Sequence, residues 1–330
     1  MQVAWVHNFA KERAHGSGVF LWQLRDRLEM DGITIKDVFV GNLRTPSDLA
    51  NASSTIKNAV DDCDLFHTQF GSLCGFVASR VPGKKILSLR GSDWYVIPPG
   101  ISHSARLHSI AANFFTKRSL LKYDKIITVS KKMATEVRHH QSRLKPDVIP
   151  SGIDFKKFYP MDRMQCRAKL GKADDKRPWV LFSSVLDDNA LKRKSLALAA
   201  VEVAKKTIPD MAVTYLTNIP HEMVSVHINA ADVVLLTSTH EGWPNIVKEG
   251  LACDVPFVST DVSDLGEIAL ASHNCYVTDP TPETLGAALV QSLIGAREKG
   301  LSDLISDMEL SNTAQKLIKI YEAVGVKNNQ

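Results

Sequence analysis

Short apolar runs rich in β-branched residues alternate with stretches of helical periodicity along nearly the whole chain. In the first half the runs are "QVAWVHN" (2–8), "KDVFVG" (36–41), "DLFHTQF" (64–70), "KILSLRG" (85–91), "KIITVS" (125–130) and "DVIPSG" (147–152). Helical stretches between them include Val19–Met30, Leu49–Val60, Ala105–Leu121 and Lys131–His140. A strand that is apolar throughout must be covered on both faces, and short strands of this kind separated by helices imply a parallel sheet. The second half repeats the scheme with "PWVLFSS" (178–184), "MAVTYLT" (211–217), "DVVLLTS" (232–238), "VPFVSTD" (255–261) and "NCYVTD" (274–279), and with helices over Lys194–Lys206, Pro244–Cys253 and Pro282–Ile294. Two successive doubly wound α/β domains follow, Rossmann-like in architecture. The polar segment 154–178 lacks a strand and holds the hinge, and an amphipathic helix over 313–324 ends the pattern.

With 330 residues, 44% of them apolar and 23% charged, the chain is long enough for two buried cores and has an ordinary globular composition. No run of eighteen apolar residues occurs, and the first residues enter a strand without a leader pattern. Cys63, Cys74, Cys166, Cys253 and Cys275 are scattered and form no CxxC pair. That favours reduced thiols in a cytoplasmic compartment over disulfides or structural zinc. The eleven histidines form no HExxH, adjacent His139 and His140 point in different directions on a helix, and "DDCD" (61–64) reads as a helix-to-strand loop, so no metal site is expected.

Charge is uneven. Residues 1–155 carry 21 Lys and Arg against 14 Asp and Glu, a balance of +7, and residues 156–330 carry 19 against 22, a balance of −3. Ten basic and two acidic residues fall in 102–145. A solvated surface accounts for most such clusters, and an anionic membrane is the sharper alternative. The stripe Leu107, Ile110, Ala111, Phe114 and Leu121 reads first as core-facing, and Lys117, Arg118 and Lys122 beside it keep a membrane anchor open. Nucleic acid is not expected, because the basic region lacks interleaved aromatics for stacking.

In doubly wound sheets ligands gather at the carboxyl ends of the strands. The stretch "THEGWPNIVKEGLACDVPFVSTD" (239–261) stands at such an end. Pro244 suits a first helical turn, and Gly242 lets a ligand approach the backbone. The N–H groups of Asn245, Ile246 and Val247 would then face an anion such as a diphosphate. Glu241 and Glu249 flank this start. A carboxylate accepts two hydroxyl protons at once, which suits the adjacent hydroxyls of a ribose or hexose.

This run resembles the E-x7-E region of the retaining glycosyltransferases of family 4, which have the two-domain GT-B fold with a C-terminal cross-over helix. Asp254 stands where that family usually has Gly, and Glu267 matches a Glu that commonly follows. The resemblance extends along most of the chain. It implies an N-terminal acceptor-binding domain over 1–155, a nucleotide-sugar-binding domain over 156–311, and a final helix within 312–330 packing back on the first domain. "LKRKSLALAAVE" is similar to the family's donor-phosphate region: Lys194 matches its Lys, Ser195 replaces its Gly, and Arg193 substitutes for a missing upstream Arg. "HGSGVF" resembles its glycine-rich loop, assigning Gly16 and Gly18 to the phosphates. "LRGSD" corresponds to a strand end that often reads His-Gly-x-Asp, so Asp93 matches and Arg90 replaces His near the reacting centre. Ser130, Ser151 and Gly152 match positions that line the family's cleft.

The resemblance therefore implies a retaining, metal-independent transferase with no cofactor. It would carry a sugar from a UDP- or GDP-sugar to a saccharide or lipid-linked acceptor in cell-surface polysaccharide or glycolipid synthesis. Glu241 would orient the sugar and Glu249 the ribose, with Arg90 and Asp93 near the chemistry. A nucleotide-sugar epimerase of the same architecture and a non-catalytic sugar- or lipid-binding protein are the competing readings.

Overall fold

The structure, a computed structural model, describes residues 1–9, 18–183, 190–217 and 219–325. The chain forms two units, Met1–Gly152 joined by the chain from Leu310 onward, and Ile153–Glu309. The sequence reading divides it instead at 155/156 and 311/312. The earlier break at Gly152 has a steric reason. A Cβ there would lie 2.8 Å from Leu310 Cδ1 and 3.0 Å from Leu310 Cα, so Gly152 lets the returning helix begin against it. One residue later, Ile153 bridges Glu309 within the second unit.

The first unit is a six-stranded parallel sheet in the order β2-β1-β3-β4-β5-β6. The strands are β1 (Gln2–His7), β2 (Thr34–Phe39), β3 (Leu65–Thr68), β4 (Lys85–Leu89), β5 (Lys125–Thr128) and β6 (Asp147–Val148). The helices are α1 (Val19–Met30), α2 (Pro46–Val60), α3 (Ser72–Ala78), α4 (His103–Ser119) and α5 (Lys131–His140). β3 is buried along its whole length, its polar residues His67 and Thr68 included, because the sheet is covered on both faces.

The second unit has α6 (Arg163–Lys169), β7 (Trp179–Phe182), α7 (Lys194–Lys205), β8 (Ala212–Tyr215), α8 (His221–Ala230), β9 (Val233–Leu236), α9 (Asn245–Ala252), β10 (Phe257–Thr260), α10 (Leu265–Leu270), β11 (Tyr276–Thr278) and α11 (Pro282–Ile294). Its five parallel strands run in the order β11-β10-β9-β7-β8. Numbered within each unit, both sheets follow a 2-1-3-4-5 order, which β6 extends by a sixth strand in the first unit. The strand order therefore reverses between β1 and β3 in one unit and between β7 and β9 in the other. A crevice opens at such a reversal because successive connections leave in opposite directions.

The last helix, α12 (Leu310–Gly325), belongs to the first unit. Ala314, Leu317, Ile318, Tyr321 and Val324 recur at helical spacing and join the core of Trp5, Leu21, Leu24 and Leu28. A buried polar chain fixes the register. Trp5 Nε1 donates to the Tyr321 hydroxyl at 2.8 Å, that hydroxyl is 2.7 Å from His67 Nδ1, and His67 Nε2 is 2.8 Å from Ser88 Oγ. Burial, with Arg90 adding to it, holds His67 well below its usual pKa, so the ring is neutral. Since Tyr321 accepts from Trp5, it donates to Nδ1, and Nε2–H donates to Ser88.

In the second unit the polar stretch read as a strandless break holding the hinge contains α6, and Arg167 on that helix is 1% exposed. Its guanidinium donates to the carbonyls of Ala230 (2.9 Å), Asp175 (2.6 Å) and Arg177 (2.9 Å) and to Asp232 Oδ2 (2.8 Å), and it stacks on Trp179. Asp232 also takes Arg163 and the Trp179 N–H. One buried cation thus closes the 163–179 segment onto the start of β9.

Candidate functional site

At the reversal in the second unit, the turn Ala190–Lys192 is laced to the end of β9. Thr239 N–H donates to Leu191 O at 3.0 Å, and Thr237 Oγ1 donates to Lys192 O at 2.5 Å. Arg193 Nε donates to Thr237 O at 2.5 Å, and one Nη donates to Ser238 O at 2.8 Å. Arg193 caps α7 with a left-handed backbone (φ 48°), a conformation that costs about 1 kcal/mol or more for a non-glycine residue and persists only where surrounding bonds enforce it. Burial pulls its pKa down. Its guanidinium is therefore a brace between two loops before it is a phosphate ligand.

The lacing holds Lys192 so that its ammonium sits 2.5 Å from Glu241 Oε1, which also accepts from Ser238 Oγ at 2.7 Å. Both charged side chains remain about one-fifth exposed, at 22% and 20%. Lys194, the lysine singled out by resemblance, opens α7 with its ammonium over the Tyr215 ring, 5.3 Å from the centroid. Lys192 was missed. The run "LKRKS" offers three cations, and only the helix start at 194 reveals that 192 stays in the loop beside Glu241. Ser238 was missed as well, although its position three residues before Glu241 at a strand end was the available signal.

α9 begins one residue later than expected. Pro244 is its N-cap (φ −71°, ψ 114°), with no side chain capping the first turn. Val247 N–H is taken by Pro244 O at 3.2 Å, so Val247 is not an open donor, contrary to the sequence reading. The N–H groups of Asn245 and Ile246 have no acceptor among the described residues, leaving two donors at the positive end of the helix dipole. Gly242 is buried, and its carbonyl accepts from Ser263 Oγ at 2.7 Å. Its backbone is outside the left-handed region, so close approach and not torsional freedom is what glycine supplies there. Asp254, in place of the usual glycine, does have a left-handed backbone (φ 55°), which explains why glycine suits that turn.

Glu249 lies one helical turn beyond Asn245 on the same face, and helical side chains lean toward the N-terminus. Its carboxylate is half-buried and accepts no hydrogen bond among the described residues. Burial pushes its pKa up to about 7, against a smaller opposing pull from Lys248. Lys248 is itself buried, with its ammonium 5.6 Å from the Trp243 ring centroid. The Trp243 indole N–H is buried without a partner among the described residues.

In the first unit the expected residues have mostly local tasks. Asp93 is fully buried, and its carboxylate accepts from the backbone N–H groups of Gly71 (2.8 Å), Arg90 (3.0 Å) and Gly91 (2.9 Å). Burial raises its pKa, and those three donors offset part of the rise. Asp93 and Arg90 do not pair through their side chains. The Arg90 guanidinium instead donates to Gln69 Oε1 at 2.8 Å, reaches Ser151 Oγ at 3.4 Å and lies over Phe20. Burial pulls its pKa down to about 10. Gln69, missed in the sequence, directly follows β3 beside the reversal, and its buried amide nitrogen has no partner among the described residues. Ser130 caps α5 by accepting from Met133 N–H at 3.2 Å, and Gly18 caps α1 in the left-handed conformation. Gly16 lies outside the described residues.

Two parallel Rossmann-like domains of this kind are the architecture of GT-B glycosyltransferases. The chain is similar to sucrose-phosphate synthase from Thermosynechococcus elongatus, with a TM-score of 0.73, 16% identity and 98% of both chains covered. It is also similar to HepE of Anabaena, crystallised with UDP and glucose, with a TM-score of 0.68, 14% identity, and 98% and 100% of the two chains covered. At such identities the likeness concerns the fold, and the fold expected from the sequence is the one found.

Residues 190–294 match the family model Glycosyl transferases group 1, a span that holds Lys192, Glu241 and the whole of α9. A glycosyltransferase of Bacillus subtilis named for teichuronic acid biosynthesis, TuaC, is 24% identical over 245 residues, which are 69% of this chain. The match spans 61% of the length of that relative.

Proposed function

We propose that the chain is a retaining, metal-independent glycosyltransferase of the family 4 type, using a nucleoside-diphosphate sugar with UDP the first choice. The observation that carries this reading is Glu249, a half-buried carboxylate without a hydrogen-bond donor among the described residues, set one turn from two N–H groups that are open among the same residues. A turn of helix rises about 5 Å, the scale that separates a nucleotide's diphosphate from its ribose hydroxyls. The Asn245 and Ile246 amides would hold the diphosphate, and Glu249 would receive the ribose diol. Lys192 would balance the charge that builds on the departing diphosphate, with Glu241 orienting both that ammonium and a sugar hydroxyl. A phosphate oxygen of the donor would take the acceptor's proton, so no imidazole is required at position 90. Arg90, whose guanidinium has no carboxylate partner among the described residues, is a cation that could meet an acidic group in the first unit, where a saccharide or lipid-linked acceptor would bind. The family model over 190–294 and the named activity of TuaC support this reading. Among the described residues no helix is long and apolar enough to cross a membrane. We place the protein in the cytoplasm, where its five free thiols would stay reduced.

Glu249→Ala is expected to raise the donor KM at least tenfold with a smaller change in kcat, and turnover of the parent protein should persist in excess chelator. A KM within twofold of the parent would remove the ribose assignment, and loss of turnover in chelator would remove metal independence. The pH dependence has a definite sign. A carboxyl whose folded pKa is raised from 4.5 to about 7 holds its proton in the folded state after the unfolded chain has released it. Its contribution to the stability of the empty protein is therefore full below about pH 4.5 and lost as pH rises through about 7. Diol hydrogen bonds favour the ionised form, so nucleotide affinity should rise as pH rises through about 7. Titration calorimetry on either side of that pH checks this, and Glu249→Gln should flatten the dependence.

A further inference from the structure

α4 is built inside out. Its buried residues are Ser109, Thr116 and Ser119. Each is satisfied locally: Ser109 Oγ accepts from Ile97 N–H and donates to Arg106 O, Thr116 Oγ1 accepts from Ser72 N–H, and Ser119 Oγ donates to Thr116 O. Phe115 packs on Phe76, and the other large apolar residues take the opposite side. Leu107 is 67% exposed, Phe114 55%, Ile110 42%, and Leu121 just beyond the helix 60%. With exposed Ala111 they form one stripe at helical spacing, so the periodicity that suggested a core-facing surface describes a solvent-facing one. A contiguous apolar stripe of this kind marks a docking surface.

The charge around the stripe identifies what docks. From Trp94 to Tyr123 there is no Asp or Glu, while Arg106, Lys117, Arg118 and Lys122 all lie in that stretch. Arg118 falls between Phe114 and Leu121 on the exposed face, and Lys122 follows it. The elements packed nearby add little negative charge. Arg80 lies over Phe76, which in turn packs on Phe115. Asp124 is engaged by the Lys85 backbone, and Glu136 by the Trp94 indole. A second copy of the same face would bring cations against cations. A bilayer rich in anionic headgroups takes the leucines and the phenylalanine into its acyl boundary and leaves Arg118 and Lys122 at the phosphates.

We infer that the exposed face of α4, continued to Lys122, docks this protein on an anionic lipid surface. The inference stands apart from the donor reading, since no residue of the nucleotide site takes part. Sedimentation of the full chain with phosphatidylcholine vesicles, with and without phosphatidylglycerol, tests it. Co-sedimentation should require phosphatidylglycerol and weaken with salt. It should fall at least tenfold in Arg118→Glu/Lys122→Glu, and separately in Phe114→Ser/Leu121→Ser at a salt concentration that screens charge. Thermal unfolding and UDP binding of both variants should match the parent, which excludes misfolding as the cause. Failure of the parent to bind phosphatidylglycerol vesicles overturns the inference, as does binding that both double variants leave intact. Reversible dimerisation of the parent, lost in the apolar variant and unaccompanied by vesicle binding, would also overturn it and make the face a contact between copies.

Discussion

Glu241→Gln is expected to lower kcat about a hundredfold while changing the donor KM by less than tenfold, because displacement of a reacting group by about 1 Å costs on that order. The reason lies in the pair it belongs to. Glu241 Oε1 receives both the Lys192 ammonium and the Ser238 hydroxyl, so a neutral amide loses the charge that fixes the lysine and turns a donor toward it. The nucleotide contacts proposed for α9 are left in place, which is why binding should survive. Steady-state kinetics with donor varied at saturating acceptor separates the two constants. A kcat within threefold of the parent would reduce the Lys192–Glu241 pair to a loop brace.

The largest expected loss of stability comes from Arg167→Ala. Its guanidinium is buried and satisfies three main-chain carbonyls and Asp232. Removing one member of a buried ion pair costs about 3–5 kcal/mol, because its partner is left desolvated. Asp232 retains Arg163 and the Trp179 N–H, which places the expected value near the lower end, about 3 kcal/mol. For a unit of this size that corresponds to a fall of roughly 10 °C in Tm. Calorimetry should find the loss in the transition of the second unit. A change of less than about 2 °C would mean that the segment closes without this residue.

Most strands were legible because they are short apolar runs that a sheet covered on both faces buries, and every proposed run but one contains its strand; β2, which alternates exposed and buried residues, begins two residues before the run proposed for it. α1, α5 and α11 were legible to the residue for a different reason: each begins beside a Gly, Ser or Thr cap. The six-residue α10 and the seven-residue α6 were not, since neither is long enough to display a period. α4 shows the limit of periodicity itself. An apolar stripe fixes a face, and only the tertiary structure says whether that face is covered. In the candidate site, Glu241, Glu249 and the α9 start could be nominated from the sequence because a strand end, a proline and two acids occur together. Lys192 was hidden in a run of three cations, and the bracing roles of Asp93, Ser130 and Arg193 depend on backbone donors and acceptors that sequence does not display.

The account rests most heavily on the hydroxyls that Glu249 is meant to receive. Titration calorimetry of UDP against 2′,3′-dideoxy-UDP, on the parent and on Glu249→Ala, isolates that contact. Hydrogen bonds to a charged group contribute about 1.5–3 kcal/mol, so the parent should bind UDP at least tenfold more tightly than the dideoxy analogue, and the variant should bind both alike. Equal affinity of the parent for the two ligands, or discrimination that persists in the variant, would contradict it.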